Sequence, residues 1–271
     1  MKILHSFLFC LLVAHGMAQP PVDGWSKGKG NIDAVVSYSY ESYSKYYAGY
    51  DMVSLGRKTQ GVSLYAAAGL AEWLDVQMSV PYVITQPGYS GLQDFSSYLK
   101  ARAINKNLSG GGSLTMFTSL GFLAPMTAYE TESLFAIGQQ ATAFDIRGIV
   151  QFKHTTGFFV MGQSGYTIRV DPVTSSLPAA LKMGLAKSKY YFDVWVDFQH
   201  AFGGSDYRDG SNSSFRTFGV SYAKIGASFY RPFKGGKSGI ALGGSYVLGG
   251  RNIGKAYTGA LSFIKKFSVS K

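Results

Sequence analysis

The sequence predicts an all-β protein: a transmembrane, antiparallel, up-and-down β-barrel of the outer-membrane type, with about 12 strands (roughly 10 to 14). Three observations predict it. The chain begins with the pattern of a cleavable export signal. Segments of alternating apolar and polar residues follow, at the period of a two-faced strand. No stretch after residue 18 is apolar over the ~20 residues a membrane helix needs. A protein that enters lipid without such a helix must close its sheet, because open edges are not tolerated there.

Lys2 forms a small positive start, and residues 3–14 are mostly apolar. Gly16-Met17-Ala18 supplies the small residues of a cleavage site, so residues 1–18 are expected to leave and Gln19 to begin the mature barrel, 19–271. Cys10 lies inside the signal after the bulky Phe9, which disfavours acylation. The mature chain then has no cysteine, hence no disulfide and no thiolate site.

The chain carries 34 Gly, 19 Tyr and 19 Phe but 8 Pro, which suits strands, tight turns and aromatic girdles. Its formal charge is +11, spread singly along the chain. No basic cluster of the nucleic-acid kind appears. Membrane lipid, lipopolysaccharide or an anion in the lumen is the expected counterpart.

The clearest strand is 74–82: Leu74, Val76, Met78, Val80 and Tyr82 fall on one face, and Asp75, Gln77 and Ser79 on the other. In a barrel the first face meets lipid and the second the lumen. Val76 is assigned to the bilayer midplane. The same alternation marks 31–40, 61–70, 94–104, 113–122, 143–153, 158–170, 181–188 and 192–200, with further strands near 215–230, 240–247 and 257–267. That makes twelve, an even number as a single-chain outer-membrane barrel requires. Gly110-Gly111-Gly112, Gly203-Gly204-Ser205-Asp206, Gly235-Gly236-Lys237 and Gly249-Gly250-Arg251-Asn252 read as turns. The longest connections are read at 86–93, 125–138, 171–178 and 202–214.

Gly69-Leu70-Ala71-Glu72-Trp73-Leu74-Asp75-Val76, with Ser79-Val80-Pro81-Tyr82-Val83 after it, carries a family resemblance. So do Gly91-Leu92-Gln93-Asp94-Phe95 with Leu99-Lys100-Ala101-Arg102, the opening Lys27-Gly28-Lys29-Gly30, and the Tyr-rich strand ending at Tyr46-Tyr47. Over about 25–153 the chain resembles the MetA-pathway-of-phenol-degradation outer-membrane family. The resemblance implies a transporter-like barrel that passes small hydrophobic or aromatic compounds. One departure is that Phe267 is followed by a short tail, where outer-membrane barrels commonly end on the aromatic that the assembly machinery reads.

The lumen-facing charges are the candidate site: Asp75, Gln77, Lys100, Arg102, Asp145, Arg147, Arg169, Asp193, Trp195 and Asp197. Asp75 and Gln77 lie on one strand and Lys100 and Arg102 on the next, so opposite charges are expected to face each other across the lumen wall if the strands pair antiparallel, with the individual pairings left open by the unread register. Such a set reads either as a constriction selecting solutes by charge and size, or as an ion-pair network filling a narrow barrel. Trp195 either stacks an aromatic solute or fills the interior. Trp25, Tyr38, Tyr40, Tyr43, Tyr46, Tyr47, Tyr82, Phe152, Phe158 and Tyr166 are read first as interfacial girdles.

An enzyme is the rival class. After signal removal His154 and His200 remain, neither beside a nucleophile motif, and no metal, phosphate or Ca²⁺ loop spacing occurs. No cofactor is expected. Loops 125–138 and 202–214 are long enough for an adhesive role, without an aromatic cluster to favour it. The reading is a passive outer-membrane channel for small solutes, with a structural, adhesive or lipid-modifying barrel as the alternative.

Overall fold

The computed structural model describes residues 22–86, 88–132, 135–207 and 214–269. The expected leader and its cleavage point lie outside them. The chain runs through β1 (Asn31–Ala48), β2 (Asp51–Ala71), β3 (Leu74–Gln86), β4 (Tyr89–Leu92), β5 (Asp94–Leu108), β6 (Gly112–Pro125) and β7 (Ala143–His154). It continues through β8 (Phe158–Arg169), β9 (Ser176–Ala186), β10 (Tyr191–Ala201), β11 (Ser221–Pro232), β12 (Ser238–Arg251), β13 (Ile253–Gly254) and β14 (Tyr257–Ser268). Every neighbour pairs antiparallel, and β14 closes on β1 from Asn31↔Ser268 to Ser42↔Tyr257. β4 and β5 are one wall strand interrupted at Gln93, and β13 and β14 another, so the described residues form a closed barrel of twelve wall strands. No helix of the described residues is long and apolar enough to cross a membrane.

The alternation sorts as lipid demands. Leu99, Leu120, Ile146 and Tyr166 are successive register partners across β5 to β8, and all are exposed on the outside. In water such a belt would cost ~25 cal/mol per Å² of apolar surface, and in lipid it costs nothing, so the belt places the barrel in a bilayer. Val76 sits beside the Glu72–Trp73 turn, close to one rim. The midplane position falls instead to residues such as Leu120, which is 58% exposed in the middle of β6.

The start of β1 and the end of β14 lie at the rim with the short turns, at 72–73, 109–111, 155–157, 187–190 and 233–237. The longer loops, 126–142 and 202–220, lie at the other rim. By the usual asymmetry the first rim faces the periplasm and the second the outside. Phe267 points outward on β14, and Val269 N–H still donates to the Gly30 carbonyl at 2.9 Å.

Each predicted strand has its wall strand, with corrections at the ends. In place of the long connection read at 86–93, Gly88 (φ 93°) makes a tight turn, its N–H donating to the Thr85 carbonyl at 2.8 Å, and β4 follows at once. Of the turn read at 249–252, Gly249, Gly250 and Arg251 belong to β12, and Asn252, in the left-handed region (φ 52°), makes the turn. Residues 176–178 belong to β9, since Ser176 pairs with Ala201. Residues 215–230 divide into a single 3-10 turn, Phe215–Thr217, and the start of β11 at Ser221.

Candidate functional site

Residues 22–27 precede the first strand and fold back into the barrel. The reversal uses Gly28 (φ 76°) and Gly30 (φ 79°), conformations that cost a side chain but not glycine. It also needs Gly69 on β2, where a Cβ would stand 1.9 Å from the Gly28 carbonyl oxygen. Val22, at the inner end of the segment, is 1% exposed and packs with Tyr98, Phe117, Ile149 and Met161 from the walls of β5 to β8. Gly24 lies so close to the wall that a Cβ would meet Gln151 Oε1 at 2.0 Å.

Lys100 holds the segment. Its ammonium is fully enclosed and donates to Asp23 Oδ1 at 2.7 Å, to the Asp23 carbonyl at 3.0 Å and to the Trp25 carbonyl at 2.6 Å. Three donors thus meet three acceptors of one short peptide, which suits a buried ammonium. Asp75 lies 3.5 Å away and accepts from the Lys27 backbone N–H at 3.2 Å. Lys27 Nζ in turn reaches Asp33 Oδ2 at 2.9 Å and Asp23 Oδ2 at 3.4 Å. Gln163 Nε2 donates to the Val22 carbonyl at 2.9 Å. The Trp25 ring stands edge-on to Phe159 (5.3 Å) and near Tyr191 (6.4 Å), with Lys153 Nζ over its face at 5.3 Å.

The segment therefore covers one wall and leaves the other free. The covered wall, β5 to β10, carries bulky inward side chains: Tyr98, Phe117, Ile149, Phe159 and Met161. The facing wall, β11 to β14 with β1 and β2, carries Ser228, Ala241, Gly243, Ala260, Ser262, Ser37, Ser39 and Ser63. Small side chains there leave an internal cavity of about 1600 Å³. It runs from Asn31, Gly235 and Ser268 at the terminal rim to Glu41, Arg57, Gln93 and Ile137 beneath the loops.

The residues selected from the sequence fall in different places. Gln77 lines this cavity. Asp75 and Lys100 are register partners, and both are turned to the segment. Arg147 forks onto Asp145 (2.6 and 3.0 Å), with Thr167 Oγ1 donating to the same carboxylate. Asp193 takes Lys182 at 3.1 Å and the Tyr191 hydroxyl. Asp197 accepts from the Tyr222 hydroxyl at 3.3 Å, and Arg169 donates to Ser176 and the Thr174 carbonyl. Trp195 is buried with its ring over Gly226, where a Cβ would stand 2.2 Å from it. Arg102 is half-buried near the terminal rim, its N–H bonded to the Trp73 carbonyl.

Three aromatics assigned to the girdles are inside. Trp25 belongs to the luminal segment. Tyr43 faces inward because it continues the inward parity of Ser39 and Glu41, and Tyr46 faces inward because a register shift between Tyr43 and Lys45 reverses the parity of β1 beyond it. Tyr38, Tyr82, Phe158 and Tyr166 are outward and exposed. His154 lies at a turn, bonded to Thr156 Oγ1 (2.8 Å), and His200 is exposed beside Phe202.

The loop rim is covered. The loop 126–142 is tied to β3 and β4: Thr85 Oγ1 donates to the Phe135 carbonyl (2.9 Å) and Gln93 Nε2 to the Ile137 carbonyl (3.0 Å). At its far end it meets the loop 202–220. Gln139 Nε2 donates to the Phe218 carbonyl at 3.0 Å, and Arg216 donates back to the Gln139 and Gln140 carbonyls at 3.1 and 3.3 Å. Tyr207, Phe215 and Phe218 cluster with Tyr46 of the wall. This aromatic cluster was invisible in the sequence, because its members come from separate parts of one loop and from β1. Asp206 anchors the loop to Arg251 and Asn252. Desolvation raises its carboxyl, but the bonds from Arg251 and Asn252 and the Arg251 charge together outweigh it and hold it below the usual carboxylate range. The anchor is thus complete above that range and weakens as the pH falls through it.

Replacing Arg216 with Ala removes both bonds to the 126–142 loop, about 1–2 kcal/mol between partly hydrated partners. The expected result is faster amide hydrogen exchange in 126–142 with unchanged exchange in the wall strands. Equal exchange in both proteins would mean that the loops are held by other contacts.

No family model and no curated protein matches the sequence. Solved structures do match the fold. The COG4313 outer membrane channel from Pseudomonas putida F1 superposes with a TM-score of 0.71 at 14% identity, covering 91% of this chain and 100% of that one. The NanC porin superposes with a TM-score of 0.50 at 9% identity, covering 88% of this chain and 100% of that one. The fold is that of an outer-membrane β-barrel. The lipid-facing belt and the closed strand order agree with that placement.

Proposed function

We propose that the protein is a passive outer-membrane channel for small solutes, hydrophobic or aromatic ones included. The observation that carries this reading is the cavity of about 1600 Å³ beside the luminal segment. Sites that hold single small molecules are commonly ~300–1,000 Å³, so the space admits a small solute with water. The lining interleaves hydroxyls (Ser37, Ser39, Ser63, Ser262) with Val35, Tyr65, Tyr98, Tyr191 and Ile264. Such a surface receives a molecule with one polar and one apolar part. The sequence resemblance to the phenol-degradation family supports the same solute class. Asp75 and Lys100 shape the route by holding the segment that narrows it, and Gln77 faces it.

The test is single-channel recording of the refolded mature protein in a planar bilayer. Discrete, salt-dependent conductance that benzoate partly blocks is the expected result. A folded, heat-modifiable barrel that never conducts would overturn the channel reading.

A further inference from the structure

The terminal rim of the cavity holds an arrangement that passive transit does not require. Tyr191 of β10 and Tyr230 of β11 are register partners, and both face the cavity. The Tyr230 ring lies across Gly239 of β12, where a Cβ would come within 2.5 Å of it. That gap in the wall lets the ring reach β14, where Lys266 Nζ stands 5.4 Å from its centroid. Lys237 is beside Lys266, whose N–H donates to the Lys237 carbonyl at 2.8 Å. On the other side Lys187 follows Ala186, the register partner of Tyr191.

The charges of this arc do not cancel. Asp33 is the register partner of Lys266 but accepts from Lys27 at 2.9 Å. Asp193 is engaged by Lys182 at 3.1 Å. Among the described residues, none of Lys187, Lys237 and Lys266 has an ion-pair partner, and all three line the cavity. The Tyr230 hydroxyl between them is enclosed and has no hydrogen-bond partner among the described residues. Three cations and a free phenol donor along one side of a confined cavity form a field that attracts an anion and a geometry that receives its oxygens.

We infer that the Lys187–Tyr191–Tyr230–Lys266–Lys237 arc is a binding station for a small anionic solute, a carboxylate or a phosphate, at the periplasmic mouth of the cavity. This rests on the channel reading for its role in passage but not for its binding. The station makes the route anion-selective, and its two tyrosine rings give the solute a surface to lie on.

Two measurements test it. In a KCl gradient across a planar bilayer, the reversal potential of the wild-type barrel should report preference for chloride. In Lys187→Gln/Lys237→Gln/Lys266→Gln that preference should fall roughly threefold or more, since fixed charge in a confined lumen sets ion selectivity. Independently, calorimetric titration of the detergent-solubilised barrel with benzoate and with inorganic phosphate should show binding that the triple variant loses. Binding of one anion and not the other identifies the source of the oxygens. Cation preference in the wild type, or anion preference retained in a heat-modifiable triple variant, would overturn the station, as would absence of binding by both anions. Binding without conductance would overturn the channel reading and leave the station standing. Should the triple variant fail to fold, the wild-type reversal potential and titrations still decide.

Discussion

Replacing Lys100 with Met is expected to release the luminal segment and raise the conductance of the barrel several-fold. The ammonium makes three hydrogen bonds to residues 23–25 and neutralises Asp23. Methionine keeps much of the volume and none of the bonds. Breaking one side of a buried ion pair costs about 3–5 kcal/mol, and water reaching the lumen lowers that figure. What remains is the packing of Val22, about 1.5–3 kcal/mol, the Gln163 bond, the Trp25 ring contacts and the Lys27 bonds to Asp33 and Asp75. Loss of the buried pair offsets a large share of these, so the segment detaches for an appreciable fraction of the time. A chain lacking residues 19–27 sets the upper limit of conductance, and the Lys100→Met barrel should lie between it and the wild type. Limited proteolysis gives a second reading, since a released segment is cut and a docked one is not. A Lys100→Met barrel with wild-type conductance and a protected segment would show that packing alone holds residues 22–27.

Replacing Leu120 with Arg is expected to cost about 2–4 kcal/mol of barrel stability in lipid, the depth-dependent penalty for a cation at the midplane of the lipid face. Leu120 is the position where this is largest: it sits in the middle of β6, flanked outward by Leu99 and Ile146. The control is Val76→Arg, beside the Glu72–Trp73 turn, where an arginine extends to the headgroups and the cost falls to about 0–1 kcal/mol. Denaturant unfolding in liposomes, with heat-modifiable mobility as the folding check, measures both. Equal stability of the two variants would place the membrane differently on the barrel than the exposed belt indicates.

These two predictions draw on different kinds of information. The side of Leu120 was legible in the sequence because each strand has two faces and lipid accepts only one of them. That Asp75 and Lys100 both face inward on neighbouring strands was legible as well, but their pairing was not, because it depends on a register that the alternation does not carry. Lys100's principal partner was not legible either. Asp23 belongs to a short segment without periodicity, and a period-based reading has nothing to grip there. Tyr46 was misplaced for a related reason. A register shift reverses every side chain beyond it, and no turn residue in β1 announces the one between Tyr43 and Lys45. Tyr43 lies before it and shares the inward parity of Glu41, so its place inside was legible in the alternation. Gly250 misled in the opposite way: a glycine that permits close strand contact, here against the Ser221 carbonyl, looks in sequence like a glycine that makes a turn.

The sequence by itself determined the architecture: twelve strands, their inner and outer faces, and a barrel in a membrane. These follow from local alternation, because the environment on each side of a strand selects the side chain at every second position. Only the tertiary structure decided what the lumen contains. Which wall the segment covers, which charges are spent holding it and which remain facing the cavity depend on contacts between residues far apart in the chain. Those contacts come from closure of the sheet, which brings β14 to β1 and residues 22–27 to Lys100, and closure leaves no mark on the local pattern.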